Sequence, residues 1–233
     1  MNYQKLYSGE HLKKIKPNWT YDTWSYKHTF EAKMKYIVSV LKKVPKDKKI
    51  LDAGCGQGLL VEFFRKRGHD IVGVDAFYEN EHVRKDDILK SGFKDNSFDV
   101  ILNLDVIEHF PLMEQEKVVK ELTRILKPSG QIIFSIPNMA HLSSRWFFLL
   151  TGRLLRTAKV SYHPGDRPIK EYYDIIQNHL KIVHKGGLSP TIPVLFQMTQ
   201  LFPKYTKWLY SILSVFKIFP SWCFNVIVVG KKK

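Results

Sequence analysis

Ile50 to Gly58, ILDAGCGQG, constrains this chain more than any other stretch. A short apolar run ends in an acid and opens into three glycines at alternate positions, Gly54, Gly56 and Gly58, followed by an apolar-periodic segment. The pattern predicts a strand, a tight turn and a helix. Glycine reaches positive φ and lets a ligand approach the backbone with no Cβ in the way, and the first N–H groups of the next helix face the same crevice. A polar ligand is expected there. A dinucleotide is not, because G-x-G-x-x-G needs its third glycine where this chain has Leu59. A turn of purely structural purpose in another α/β protein stays open at this point.

The following segment, LLVEFFRKRG, places Leu59, Leu60, Phe63 and Phe64 on one helical face and ends at Gly68. DIVGVD then reads as a second strand closing on Asp75. An acid at that strand tip, about 20 residues past a glycine loop, is placed to accept both ribose hydroxyls of a nucleoside. A short third strand ends near Asp86 and Asp87. SFDVILNLDVIEHF, Ser97 to Phe110, predicts a strand over Phe98 to Leu102 that ends at Asn103 and Leu104 beside the crevice and runs into Glu108 and His109. Alternating strands and helices predict a mostly parallel sheet covered on both faces.

The D-x-G-x-G-x-G form of Asp52 to Gly58, with SFDVILNLDVIEHF and ELTRILKPSGQIIFSIPN behind it, resembles the class I S-adenosylmethionine-dependent methyltransferases. The branch it is similar to acts on small molecules and includes ubiquinone-biosynthesis O-methyltransferases and surface-polysaccharide cluster methyltransferases. The resemblance implies a Rossmann-like, seven-stranded, mostly parallel sheet with the last strand antiparallel. It implies S-adenosyl-L-methionine as cofactor. Asp52, Gly54, Cys55, Gly56 and Gly58 would wrap its methionyl part, Asp75 and Ala76 its ribose, and Asp87 with the Ile88 N–H its adenine, while Asn103 and Leu104 would flank the crevice. Asp87 aligns better than Asp86 for the adenine. Ser129 departs from the family, which usually has Gly in a PGG turn there; Gly130 remains, so the turn is expected to survive.

The 233 residues suit a single domain. Residues 1–48 read as an N-terminal lid and helix, 49–137 as the cofactor-binding half, 138–179 as a substrate-side insertion, and 180–230 as the last strands with an amphipathic insertion over 193–222. The first residues carry positive charge with no apolar core behind it, so no signal peptide is expected and the protein is expected in the cytoplasm. Cys55 and Cys223 form neither a disulfide framework nor a metal spacing, and both are expected as reduced thiols. The 37 Lys and Arg against 22 Asp and Glu leave +15, a field that concentrates anionic partners or merely solvates a lysine-rich surface.

The aromatics of residues 17–30 supply lid candidates, Tyr21, Trp24 and Tyr26, whose ring faces attract a sulfonium cation; a cap on the core is the alternative. His109 is the candidate general base, since an imidazole can take a hydroxyl proton at neutral pH. His141 and His163 are rivals in the acceptor region. No metal site is expected: Asp86, Asp87 and His109 are assigned to adenine binding and proton transfer, and the spacing shows no convergence of hard ligands. Met139 to Arg156 reads as a helix walling the acceptor pocket, followed by KEYYDIIQNHL and a sixth strand, LKIVHKGG. Tyr205, Trp208, Leu209, Ile212, Leu213, Phe216 and Phe219 recur at helical spacing among lysines, a stretch too short to span a bilayer. Packing on the domain or a partner is preferred for residues 204–219, and contact with an acidic inner membrane face is the alternative.

The expected function is methyl transfer from S-adenosylmethionine to a small, sugar or lipid-linked acceptor, on a hydroxyl oxygen. The alternatives are an RNA methyltransferase, disfavoured because no N-P-P-[FY] motif or suitably placed nucleophilic cysteine is present, and a non-catalytic S-adenosylmethionine-binding module. The acceptor and the oligomeric state are not legible.

Overall fold

A computed structural model describes residues 3–7, 9, 13, 18–155 and 158–233. Most of the N-terminal segment read for a leader, and Arg156 at the end of the helix expected from Met139, lie outside the described residues.

Seven strands form one sheet: β1 (Lys49–Ala53), β2 (Asp70–Asp75), β3 (Val83–Lys85), β4 (Phe98–Leu104), β5 (Leu126–Pro137), β6 (Leu180–Gly187) and β7 (Asn225–Lys232). Their order is β3-β2-β1-β4-β5-β7-β6. β7 is antiparallel to both neighbours, while the other paired strands run parallel. Successive side chains of a strand point to opposite faces, and this sheet uses both. Leu51, Ala53, Ile101, Ile132, Phe134, Ile136, Val226 and Val228 enter one core. The residues between them, among them Ile50, Val100, Leu102, Ile133, Ile227 and Val229, enter the other. Strands buried on both faces read as continuous apolar runs, which is why ILDA and VILNL contain so little polar surface.

The first core is closed by α3 (Gln115–Ile125) and α5 (Ile169–His179), after α1 (Lys27–Leu41) and α2 (Leu59–Arg65) in chain order. On α3, Gln115, Val118, Val119, Leu122 and Ile125 are buried at i, i+3, i+4, i+7 and i+10, a single helical face. The second core lies under α1, α2 and the N-terminal aromatics. On α2 the buried residues are Leu60, Val61 and Phe64. Phe63, expected on that face, is half-buried beneath the Arg67 guanidinium, 3.5 Å from its ring centre.

Two regions differ from the sequence expectation. The helix expected from Met139 is α4 (Leu142–Thr151), which buries Ser143 and Ser144 and exposes Trp146, Leu149 and Leu150. Its small residues face the domain, and its large apolar ones face outward. The insertion between β6 and β7 holds α6 (Leu195–Leu201), α7 (Lys207–Leu213) and a 3-10 turn over Ser214–Ile218. Leu209 and Leu213 pack inward, and Tyr210 stacks on His28 at 5.1 Å while its hydroxyl donates to the Leu188 carbonyl. Tyr205, Trp208, Ile212, Val215 and Ile218 are exposed, so packing accounts for one face of the insertion. Among the described residues no helix is long and apolar enough to cross a membrane.

Candidate active site

Strand order reverses between β1 and β4, and in open parallel sheets that switch point opens a crevice at the carboxyl ends of the strands. A cleft of about 650 Å³ lies there. Asp52 at the end of β1, the glycine loop after it, Leu104 at the end of β4 and the turn carrying Glu108 and His109 all line it.

The loop owes its shape to backbone freedom. Gly54, Gly56 and Gly58 all have positive φ, at 88°, 54° and 75°. A Cβ on Gly56 would meet nothing within 4 Å, so that glycine opens the backbone to the cleft, whereas a Cβ on Gly54 would strike Val106. Asp75 fastens the loop from the next strand: Oδ2 accepts the Gly56 N–H at 2.8 Å and Oδ1 the Phe77 N–H at 2.9 Å. An ionised carboxylate has about four acceptor positions, so these two bonds do not exhaust it. Burial, and then the charge of Asp75, push the Asp52 carboxyl up to about 7. The Cys55 thiol is likewise raised by burial, which makes it a packing residue rather than a nucleophile.

An aromatic wall faces the loop. Tyr7, Trp24, Tyr26, Phe30 and Tyr78 line the cleft. Tyr7 stacks on Trp24 with centroids 4.2 Å apart and planes 11° apart. Tyr21 and Trp24 both belong to the core beneath and Tyr26 packs against it, so the rings of Trp24 and Tyr26 that line the cleft are also part of a cap on that core. A glycine-rich backbone, an acid pair and aromatic faces form a donor and stacking set that fits S-adenosylmethionine, a zwitterionic sulfonium with an adenosine half.

Three expected cofactor contacts have other occupations. Asn103 is fully buried between strands and donates to the Ala53 carbonyl at 3.2 Å, because it is still paired in β4 rather than past its end. Asp87 caps the turn Ile88–Lys90 through the Leu89 N–H, and Ile88 points into the core. Neither residue lines the cleft, and neither do Asp75, Ala76 and Gly58.

Asp105, passed over in the sequence although it follows β4 directly, is the polar centre of the crevice. It sits at φ 55°. Its Oδ2 pairs with the buried Lys33 ammonium and accepts the Tyr26 hydroxyl at 2.7 Å. Its Oδ1 accepts the Ser135 hydroxyl at 2.5 Å and the Asn225 amide at 2.9 Å. Burial alone would raise this carboxyl, but Lys33 and these hydrogen bonds hold it below the usual carboxylate value.

Glu108 is the opposite case. It is fully buried, and neither carboxylate oxygen has a hydrogen-bond partner. Burial, and then the charge of Asp105, raise it well above a normal glutamate. Beside it, His109 Nδ1–H donates to the Tyr162 carbonyl at 2.8 Å, which leaves Nε2 as the lone-pair nitrogen. Desolvation lowers the His109 pKa and keeps that lone pair available at neutral pH. The His163 ring stands perpendicular to the His109 ring, with centroids 4.7 Å apart. Glu108, His109 and His163 each offer a ligand atom within 4.8 Å of the others.

His141 is not part of this wall. It is the buried N-cap of α4, its Nδ1 accepts the Ser144 N–H at 3.2 Å, and burial pushes it down to about 4. His141 does not line the cleft.

Comparison with known proteins bears on the family and the fold. Residues 26–167, more than half of the chain, match the family described as methyltransferase domain. The ubiquinone biosynthesis O-methyltransferase of Acinetobacter baylyi is 26% identical over 162 residues, 60% of this chain and 66% of that protein. The chain therefore aligns with just under two thirds of that relative's length. The solved structure of a SAM-dependent methyltransferase from Archaeoglobus fulgidus superimposes with a TM-score of 0.53 at 16% identity, covering 97% of this chain and 100% of the other. A [4+2]-cyclase superimposes with a TM-score of 0.59 at 12% identity, over 86% and 80% of the two chains. At these identities the likeness is one of fold, and a fold shared with a cyclase does not name a reaction.

Proposed function

The chain belongs to the class I S-adenosylmethionine-dependent methyltransferase family, and on that premise we propose that it transfers a methyl group to a hydroxyl oxygen of a small, lipid-linked acceptor. The observation that carries this reading is the continuity of one cleft from the glycine loop to the wall of Glu108, His109 and His163. Methyl transfer needs a cofactor and an acceptor in line, which a single cleft with two different ends provides. The glycine loop, Trp24 and Tyr26 would hold the sulfonium cofactor, which would supply an electrophilic methyl group there. His109 lines this cleft with Nδ1 engaged by the Tyr162 carbonyl, and its Nε2 lone pair takes the hydroxyl proton. Asp105 holds Tyr26 and Lys33, and all three line the same cleft.

Oxygen as the methylated atom is supported by the relative named as an O-methyltransferase. Delivery from an anionic membrane surface is supported by the +15 charge and by the exposed apolar side chains of α6, α7 and the turn after them. Gln200 of α6 lines the same cleft, so the surface adjoins the site.

Calorimetric titration with S-adenosylmethionine, S-adenosylhomocysteine and NAD tests the cofactor half. Micromolar binding of the first two, no binding of NAD, and at least tenfold weaker binding in a folded Asp75→Ala protein are expected. An Asp75→Ala protein that binds as tightly as wild type would remove the ribose assignment, and a wild type that binds neither adenosyl compound would remove the function.

A further inference from the structure

Asp52 is an acid placed where a charge is hard to hold. Successive residues of a strand face opposite ways, so Asp52 shares the face of Ile50, which packs in the core under α1, and it is 4% exposed at the cleft end of that face. Its partners in register are Gly73 of β2 and Leu102 of β4, and neither brings a polar side chain. A carboxylate in such a place is costly unless a cation meets it.

The groups around it do not supply one. From β2 comes Asp75, whose oxygens accept the Gly56 and Phe77 N–H groups and whose charge opposes a second one nearby. From α1 comes Lys33, which favours an ionised Asp52, but its ammonium is paired with Asp105. From the glycine loop comes the Cys55 thiol, kept neutral by burial. The turn after β4 adds Asp105 and Glu108 to the same cleft. The chain carries +15, yet among the described residues lining this cleft Asp52, Asp105 and Glu108 stand against the ammonium of Lys33. A cleft so charged is complementary to a cationic ligand. The methionyl half of S-adenosylmethionine carries a sulfonium and an ammonium against one carboxylate, and an opposite charge within about 4–6 Å favours the ionised form of an acid.

We propose that Asp52 is protonated in the ligand-free protein and releases its proton when S-adenosylmethionine enters, so that the buried carboxylate forms only when the sulfonium is there to meet it. The O–H bond of the Asp52 carboxyl breaks, its electron pair stays on oxygen, and the proton passes to solvent. One positive charge enters the site as one leaves. This inference rests on the methyl-transfer reading for the identity of the ligand. The demethylated product has lost the sulfonium charge, so it gives Asp52 less reason to ionise, and Asp52 thereby favours the methyl-bearing cofactor over its product as pH rises.

Calorimetric titration of the full chain with S-adenosylmethionine, in pairs of buffers of different ionisation enthalpy, counts the protons released. Asp52 sits near 7 in the ligand-free protein, so about nine-tenths of a proton is expected at pH 6 and about one-tenth at pH 8, with affinity rising about tenfold between them. Asp52→Asn keeps the shape of the side chain and should abolish both the release and the rise. S-adenosylhomocysteine should release less than half as much as S-adenosylmethionine at pH 6. A wild type that binds S-adenosylmethionine at pH 6 without releasing protons would overturn the inference with no variant needed. Equal release by wild type and folded Asp52→Asn, or by the two ligands, would overturn it as well. A wild type that binds neither adenosyl compound would instead remove the methyl-transfer reading, and this inference with it.

Discussion

Asp52 is the residue whose chemistry the fold changes most usefully. Its carboxyl sits near 7 in the folded chain, against an ordinary value of ~3.9 in the unfolded one. The folded protein therefore holds a proton over that window that the unfolded chain has released. Its contribution to stability is complete below pH ~4 and is lost as pH rises toward 7. Asp52→Asn should remove this dependence and stabilise the protein at pH 8 by a few kcal/mol, roughly 1.4 per pKa unit, relative to its effect at pH 4. Urea unfolding of both proteins at the two pH values checks it, and parallel curves would refute it. A second residue-scale prediction concerns Ser129, where the family pattern has glycine. Residues 127–130 lie within β5 as an irregularity in its pairing with β4 rather than as a separate turn; Ser129 itself carries the left-handed φ of 63°, while Gly130 is needed for its close approach to Leu126. Ser129→Gly should raise stability by about 0.5–1 kcal/mol, read as a higher denaturation midpoint. The departure at Ser129 was legible in the sequence; which of the two positions takes the strained conformation was not.

Among the elements, α1 and the turn after β4 are joined by one polar knot. Lys33 comes from the helix, Asp105 from the turn, Ser135 from β5 and Asn225 from β7. Removing one partner of a buried ion pair leaves the other charge uncompensated. Asp105→Asn should therefore cost about 3–5 kcal/mol, and adding Lys33→Met should recover a large part of it. Chemical denaturation of the single and double variants tests this, and additive losses would refute the coupling. The elements were largely readable because their signals are local: glycines after a strand, short continuous apolar runs, and apolar residues three and four apart. α4 misled for an equally physical reason. Its large apolar residues suggested a buried wall, yet its capping histidine and two small serines sit against the domain and Trp146, Leu149 and Leu150 face out. Hydrophobicity does not say which side of a helix the rest of the chain will cover.

The whole molecule carries a net charge of +15 and exposes large apolar side chains between β6 and β7, with Trp208 at 62% and Ile218 at 76% exposure. Such a surface should bind anionic vesicles through both charge and apolar insertion. Co-sedimentation with phosphatidylglycerol vesicles is expected, with little binding to phosphatidylcholine and weaker binding at high salt. Trp208→Ser with Ile218→Ser should reduce it at least tenfold at an unchanged melting temperature; undiminished binding would refute this surface as the contact. Local sequence was enough to specify the sheet, the glycine loop, the acid closing β2 and the family, because each depends on neighbours within a few residues. The acceptor end of the cleft depends on distant ones. His109 meets the loop of Tyr162 and His163 across more than fifty residues, and Asp105 meets Asn225 across 120. Linear spacing carries no record of such meetings, which arise when α3 and α5 pack on one face of the sheet and draw the intervening loop over the ends of its strands.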